Sequence, residues 1–146
     1  MKWLSIITWL IIPASSALNA SYFHHCWNND RVSLKFFEGH EKDIVFVRFK
    51  LPDGSDRRIS GADYIDVDIN EELNGMDIDA FDYTQEDTVG IQFFAPASQS
   101  KAIKTYKYKT TIFLHDYERD QISLYMVSCT ARAMSLFNAI KFYETH

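Results

Sequence analysis

The chain has 146 residues, of which 47% are hydrophobic and 15% aromatic, and it carries a formal net charge of −5 at pH 7. This apolar content is ample for a folded core, and with five glycines and three prolines the sequence is neither disordered nor of low complexity. The negative charge disfavours a general affinity for polyanions such as nucleic acid, while a local basic patch is still compatible with it.

The first twenty residues have the pattern of a secretory signal peptide. A minimal basic start precedes an apolar run over residues 3–12, which is too short to span a bilayer. Small residues follow, with candidate cleavage sites after Ala17 and after Ala20, of which we adopt the second. We therefore predict a signal peptide over residues 1–20, a single secreted domain over residues 21–146, and no membrane attachment after cleavage.

The sequence contains two cysteines, Cys26 and Cys129, and both lie in the predicted secreted domain. In the oxidising compartment that a secreted chain enters, two such thiols become a structural bridge, so we predict a Cys26–Cys129 disulfide. Closing a loop of about 100 residues in this way stabilises the fold by roughly 4–5 kcal/mol on the loop-entropy estimate. That is a large share of the stability of a small domain.

Alternating apolar and polar residues predict strands in the first half of this domain. Residues 32–36 alternate in this way, and so do residues 44–51. Proline and glycine within residues 52–55 predict a turn, and another alternating run follows over residues 64–69. We expect the runs on either side of that turn to form a hairpin.

The strand pattern continues in the second half of the domain. Residues 89–95 alternate until Pro96 stops the run, and residues 103–114 form the longest candidate strand. Residues 115–120 are its polar turn, and residues 121–129 return as the next strand. Six or so strands joined by short turns predict an antiparallel sheet.

Two helices are expected besides the strands. A C-terminal helix is predicted across residues 131–143 with Thr130 as its N-cap, and a shorter helix between Asn70 and Tyr83, where Asp77 caps a turn. The apolar residues of the C-terminal helix recur at helical spacing, and we expect this face to pack on the sheet. The expected fold class is therefore α+β, an antiparallel sheet with one or two helices. The apolar face comprises Ala133, Leu136, Phe137, Ile140 and Tyr143.

Residues 63–87 contain ten carboxylates and no lysine or arginine. From Asp66 the segment begins like a calcium loop, but Glu71 and Asp77 occupy the positions where an EF-hand needs Gly and Glu. The segment is therefore interpreted either as a solvated acidic face or as an acidic surface for a basic partner, with Asp66 and Asp68 as candidate contacts.

Lysines and aromatic residues interleave between residues 101 and 109. Single-stranded nucleic acid binders combine cations for the phosphates with aromatic rings for the bases. We favour a second interpretation, a strand whose tyrosines point inward and whose lysines point outward and protect a sheet edge. In that arrangement the rings cannot stack on bases. The candidate binding residues of this segment are Lys104, Tyr106, Lys107, Tyr108 and Lys109.

Glu38 and His40 place a carboxylate and an imidazole close together in the sequence. Such a pair can share the acid and base steps of RNA cleavage through the 2′-hydroxyl. A second histidine, His115, and an arginine, Arg48 or Arg119, would complete such a site, although no spacing selects them. Nucleophile-elbow and phosphate-loop motifs are absent, so we predict no enzyme and keep Glu38, His40 and His115 as the alternative catalytic set.

His24 and His25 stand beside Cys26 and suggest a zinc site. A disulfide-bonded sulfur cannot ligate a metal, so this site would require both cysteines to be reduced in a secreted protein. We therefore predict neither a metal nor a cofactor.

The arrangement of aromatics and cysteines resembles a known family. A short secreted precursor with aromatics at Tyr22 to Trp27, just before and after Cys26, and its other cysteine at Cys129, is similar to the RNase-like effectors of cereal powdery mildew fungi. The resemblance implies paired cysteines and a fold like fungal ribonucleases of the T1/F1 type. It also implies loss of the catalytic residues and suppression of immunity inside host plant cells. An all-β sandwich, as in two-cysteine effectors of other plant-pathogenic fungi, is the alternative fold.

Three functions follow as hypotheses. The first is a secreted effector, translocated into the host cell, that binds a host plant protein or immune receptor, or RNA without cleaving it, and is a monomer. The second is an active secreted ribonuclease. The third is a secreted ligand or structural module unrelated to pathogenesis.

Overall fold

The computed structural model describes residues 21–61, 63–84, 87–98 and 103–145, so the predicted signal peptide lies outside the described residues. Within these ranges the chain forms nine strands and one helix. They are β1 (Tyr22–Trp27), β2 (Ser33–Glu38), β3 (Ile44–Lys50), β4 (Asp56–Ser60), β5 (Ile65–Asn70), β6 (Gly75–Asp82), β7 (Val89–Pro96), β8 (Thr105–Asp116), β9 (Gln121–Ala133) and α1 (Leu136–Glu144). None of the helical residues described forms a helix long and apolar enough to cross a membrane.

All nine strands belong to one antiparallel sheet in the order β4-β3-β2-β1-β9-β8-β7-β6-β5. Strands adjacent in sequence are adjacent in the sheet except at the β4–β5 step, and β1 pairs with the last strand, β9. The sheet rolls up until β4 contacts β6 through the buried ion pair of Arg57 and Asp82, whose charged atoms are 3.1 Å apart. The described residues therefore confirm a mostly antiparallel β-protein with a single short helix.

The inner face of the rolled sheet carries the main core. Cys26 and Cys129 lie directly opposite each other on β1 and β9, with Cα atoms 3.9 Å apart, and form the predicted disulfide. Because side chains alternate between the two faces of a strand, every second residue of most strands points into this core. Its most deeply buried apolar side chains are Val32, Leu34, Phe36, Val47, Phe49, Met76, Ile78, Ile91 and Ile112.

A smaller core lies on the outer face, where α1 covers β1, β2 and β3. Phe23, Phe37 and Phe46, one from each strand, pack with Ala139 and Tyr143 of the helix. The three strands therefore bury apolar side chains on both faces.

Two buried cations hold the C-terminal end of α1 on the sheet. Lys35 Nζ donates hydrogen bonds to the carbonyls of Phe142 (2.9 Å) and Thr145 (2.6 Å), and Arg48 donates to the carbonyl of Tyr143 (2.6 Å). Cations at this end of a helix satisfy its orphan carbonyls and complement its dipole. Burial, and then the charge of Arg48, lower the pKa of Lys35.

The predicted start and the predicted packing face of the C-terminal helix are wrong. Residues 131–133 continue β9, because β1 and β8 bond to them from both sides. The helix begins only after Ser135, whose hydroxyl accepts a hydrogen bond from the Asn138 amide (3.3 Å). Ala139 and Tyr143 face the sheet, whereas three of the residues predicted to pack there are exposed. These are Leu136 (42%), Phe137 (72%) and Ile140 (46%).

Three further expectations about the elements are corrected. The short helix predicted between Asn70 and Tyr83 is wrong, because Met76, Ile78 and Ala80 alternate inward along β6. The turn at residues 52–55 joins β3 to β4, which was not predicted, so the expected hairpin partner is wrong too. The strand β1 was also not predicted.

Candidate functional site

A cluster of five polar and aromatic side chains occupies one end of the inner face. Tyr22 and His24 precede Cys26 by four and two residues in β1, so the strand turns all three inward. Glu38 is the partner of Tyr22 across the β1–β2 pair. The other two members come from β8, which lies beyond β9. We call Tyr22, His24, Glu38, Tyr106 and Tyr108 the inner cluster.

His24 is the centre of the inner cluster and is completely buried. Its Nε2 lies 2.9 Å from Glu38 Oε1, its Nδ1 lies 2.7 Å from the Tyr108 hydroxyl, and its ring stacks on Phe36 with the centroids 4.2 Å apart. Burial lowers the pKa of His24, and the hydrogen bond and charge of Glu38 oppose this only partly. A neutral imidazole has one donor and one acceptor, and a carboxylate only accepts. The Nε2 proton therefore goes to Glu38, and Nδ1 accepts from Tyr108.

The three tyrosine hydroxyls of the inner cluster all have acceptors. Tyr22 donates to the carbonyl of Ile103 (2.7 Å) and Tyr106 to that of Pro96 (3.0 Å), while Tyr108 donates to His24. Burial, more than the neighbouring charges and hydroxyls, raises the pKa of both Tyr106 and Tyr108. The phenols therefore remain protonated donors at neutral pH. The inner cluster is a buried hydrogen-bond network that ties β1 to β2 and β8.

An acidic ladder lies on the outer face of the sheet. Asp66 and Asp68 of β5 stand directly opposite Asp79 and Asp77 of β6. Like charges in such positions destabilise a sheet by a few tenths of a kcal/mol or more, on the order of 0.2–1 kcal/mol per pair. Folding alone therefore does not favour these four aspartates.

The tyrosines and lysines of β8 lie on opposite faces of the sheet. Tyr106 and Tyr108 point inward, as in the interpretation favoured from the sequence, and their rings are therefore not free to stack on bases. Lys107 and Lys109 are exposed on the outer face, and we call them the basic pair. Lys104 is exposed just before the strand.

An apolar patch of four side chains lies on the outer face of β8 and β9, further along β8 from the basic pair and across β7 from the acidic ladder. Phe113 stands directly opposite Leu124 in the β8–β9 pair. Their large exposed fractions are unusual for apolar residues in the middle of a sheet, where both neighbouring strands are already paired. The members of the apolar patch are Phe113 (46%), Ile122 (66%), Leu124 (60%) and Met126 (72%).

A groove of about 400 Å³ separates the acidic ladder from the apolar patch. It opens because β7 and β8 pair only through residues 89–92 and 113–116. Beyond these residues the two strands diverge, and the hydroxyl of Thr110 donates to the carbonyl of Phe94 (2.7 Å). The walls of the groove include Asp77, Asp79, Gln92, Phe94, Thr111 and Phe113.

Comparisons with models of protein families, with curated proteins and with solved structures gave no match. Among the residues that the structure describes, no three His, Cys, Asp or Glu side chains lie together in a way that could hold a metal ion. Any function therefore has to be inferred from the chemistry of the inner cluster and of the outer face.

The structure does not bring the three sequence-selected catalytic residues together. His40 lies exposed in the turn after β2, and Glu38 binds His24 instead. His115 stands near the far end of β8, where it lies 3.3 Å from Asp120. Seven residues separate it from Tyr108, which is roughly 23 Å along a strand.

The two arginines considered for that site are also engaged elsewhere. Arg48 makes two hydrogen bonds to the Asp56 carboxylate, of 3.0 and 2.8 Å, besides its bonds to the end of α1. Arg119 lies in the exposed turn after β8, 3.9 Å from Asp116. Neither of them contacts the inner cluster through the bonds described.

The sequence pointed to Glu38 but not to its partner. His24 was considered only as a zinc ligand beside Cys26. Its position two residues before an inward-facing cysteine already placed it on the same face, had the segment been recognised as a strand. The pairing with Glu38 depends on the β1–β2 register, which no local pattern reveals.

Proposed function

We propose that the protein is a secreted, catalytically inactive binding module of the effector type, which is translocated into host plant cells and binds a host protein there. The proposal keeps the resemblance to the RNase-like effectors, including a core related to the T1/F1 ribonucleases, as its starting point. The resemblance is carried by the leader, the aromatics before Cys26 and the pairing with Cys129.

The observation that carries this proposal is the state of the inner cluster. A general base has to lie within about 2.6–3.2 Å of the proton that it removes, or reach it through one water. Both nitrogens of His24 already have partners at 2.7 and 2.9 Å, and the ring has no exposed surface. The imidazole and carboxylate of the inner cluster thus stabilise the fold and have little access to a substrate.

A surface for the host protein is offered by α1. Its outward face exposes Leu136, Phe137 and Ile140, while Lys141 lies 4.8 Å from the Phe137 ring centroid. Aromatic side chains surrounded by polar groups are typical anchors of protein–protein interfaces. The helix packs on the sheet through Ala139 and Tyr143 and exposes most of its large apolar side chains. Such a helix is well suited to bind a partner.

A matched pair of substitutions tests the proposal. Phe137→Ser removes the most exposed aromatic side chain of α1, and Tyr83→Ser removes an exposed ring far from the helix in sequence. We expect the wild type and Tyr83→Ser, produced in host plant cells without the leader, to suppress an immune response, and Phe137→Ser to suppress it weakly. Equal suppression by all three variants would exclude α1 as the contact, and no suppression by the wild type would contradict the effector function.

An active ribonuclease is the second candidate, and one observation favours it. Glu38 and His24 form a carboxylate–imidazole pair at 2.9 Å, the combination that RNA cleavage through the 2′-hydroxyl uses. For this pair to act, the end of the inner face has to open far enough to admit a phosphate. Hydrolysis of RNA by the purified protein separates the two candidates.

A further inference from the structure

We propose that the outer face of β8 and β9 pairs with the same face of a second copy of this chain, forming a symmetric dimer. This inference goes beyond the proposed function and does not depend on it. It rests on the apolar patch together with the placement of the acidic ladder and the basic pair around it. Exposed apolar patches of this kind mark interaction sites on soluble proteins.

The two charged flanks lie at similar distances from the apolar patch. Starting from Phe113, the facing residues Gln92, Asp79 and Asp66 follow on successive strands, which places the acidic ladder roughly 10–14 Å away at about 4.8 Å per strand. Along β8, Lys109 and Lys107 lie roughly 13 and 20 Å from Phe113 at about 3.3 Å per residue.

The two flanks carry opposite charges at similar distances from the apolar patch, and this makes the face complementary to a second copy of itself. In a two-fold dimer the same surface is used by both copies. Consider a two-fold axis that lies in the contact plane and passes through the apolar patch. If this axis runs midway between the two flanks, it exchanges the acidic flank with the basic one. The acidic ladder of each copy then faces the basic pair of the other, while the apolar patches meet at the centre.

The groove beside the apolar patch has the chemistry to hold a lysine side chain of the second copy. Its walls combine the carboxylates of Asp77 and Asp79 with the rings of Phe94 and Phe113. A lysine presents an apolar stem and a charged head, so carboxylates and aromatic rings together suit it. We assign the groove to Lys109 of the second copy.

The second copy explains features that a lone chain does not. The like-charged pairs of the acidic ladder destabilise the sheet, and a basic surface opposite them removes that cost. Asp66, Asp68, Lys107 and Lys109, which the sequence singled out as contacts, then flank the dimer interface. This proposal replaces the monomer that was expected from the sequence.

The first test uses two leucines that differ in location but not in exposure. Leu124 in the apolar patch is 60% exposed and Leu73 in the turn before β6 is 62% exposed. For the secreted, disulfide-bonded protein, we expect sedimentation equilibrium to show a dimer at about 10 µM and Leu124→Ser to weaken it by about tenfold or more. Leu73→Ser should leave the dimer unchanged.

The second test reverses the charges of one flank at a time. Asp66→Lys, Asp68→Lys, Asp77→Lys and Asp79→Lys together make both flanks basic, and Lys107→Asp with Lys109→Asp makes both acidic. We expect each variant alone to be monomeric at low salt, and a mixture of the two to form a one-to-one heterodimer. Raising the ionic strength should weaken both the wild-type dimer and the heterodimer, because exposed charges are screened.

Several outcomes would overturn the proposal. A wild-type monomer at these concentrations would do so, as would equal weakening by Leu73→Ser and Leu124→Ser, or a charge-reversed mixture that stays monomeric. If the protein is monomeric and Leu124→Ser instead impairs suppression of the host response, the apolar patch belongs to the host partner and not to a second copy.

Discussion

The two faces of β8 show how differently the same short segment can be used. Tyr106 and Tyr108 point inward and are bound within the inner cluster, whereas Lys107 and Lys109 point outward and are exposed. On the inner face the side chains of the inner cluster all hydrogen-bond within the molecule. On the outer face, charges of one sign stand opposite each other and large apolar side chains face solvent. The comparison indicates that the inner face maintains the fold, and the outer face is the one to which we assign binding.

The largest effect on the inner face is expected from removing the disulfide. Cys129→Ser should lower the free energy of unfolding by roughly 4–5 kcal/mol on the loop-entropy estimate. A loss of this size lowers the melting temperature by on the order of 10–20 °C. Thermal unfolding monitored by circular dichroism gives the value, and Cys26→Ser should match it because each variant breaks the same bridge. Two free thiols in the mass spectrum of the secreted wild type would contradict the pairing.

The next effect concerns the centre of the inner cluster. His24→Leu leaves Glu38 and Tyr108 buried without their partner, which should cost roughly 2–3 kcal/mol. Tyr108→Phe removes a single hydrogen bond and should cost about 1 kcal/mol. His40→Ala is the matched control on an exposed histidine and should have little effect. Chemical denaturation checks all three, and equal values for His24→Leu and His40→Ala would show that the inner cluster does not stabilise the fold.

The pH dependence of stability tests whether His24 is buried in its neutral form. Burial lowers the pKa of His24 below its ordinary value of 6.5, so the unfolded chain binds a proton that the folded chain does not. The free energy of unfolding should therefore fall as the pH drops below about 6.5, by up to about 1.4 kcal/mol per pH unit. His25, whose pKa burial also lowers, acts in the same direction. Wild type should lose more stability than His24→Gln between about pH 7 and pH 5. Parallel curves would contradict a buried neutral His24.

The smallest effects on stability are expected on the outer face. Asp68→Lys places a cation opposite Asp77, and Lys107→Glu places a carboxylate opposite Thr130. We expect the first change to stabilise the sheet by a few tenths of a kcal/mol and the second to stay within about 0.5 kcal/mol of the wild type. Melting temperatures at low and high salt measure both. A loss of several degrees in either variant would show that the outer face also contributes to folding.

The sequence predicted most of the strands whose inward-facing residues are apolar at every second position. The segments that became β2, β3, β7, β8 and most of β9 have this pattern, and they were predicted close to their observed bounds. By contrast, β1 buries Phe23 under α1 and His24 in the inner cluster, so it shows no alternation.

The remaining errors come from contacts between residues that are distant in the sequence. The strand β4 contains Arg57, whose buried guanidinium pairs with Asp82 of β6 and donates to the carbonyl of Asp87. The apolar stripe around Phe137 suggested a packed helix face, but Lys35 and Arg48 fix the end of α1 so that its large side chains face outward. The inner cluster likewise joins residues from three strands, of which the sequence analysis selected Glu38, Tyr106 and Tyr108 but not His24.

The most direct test of the division between the two faces is an RNA-hydrolysis assay with the purified, disulfide-bonded protein at neutral pH. Wild type, Glu38→Gln and two controls outside the inner cluster, His40→Ala and His115→Ala, are compared with a blank, and the melting temperature of each is measured alongside. If the inner cluster only maintains the fold, all four proteins leave single-stranded RNA intact. Cleavage by the wild type that Glu38→Gln abolishes, without lowering the melting temperature, would make the inner cluster an active site and contradict the account.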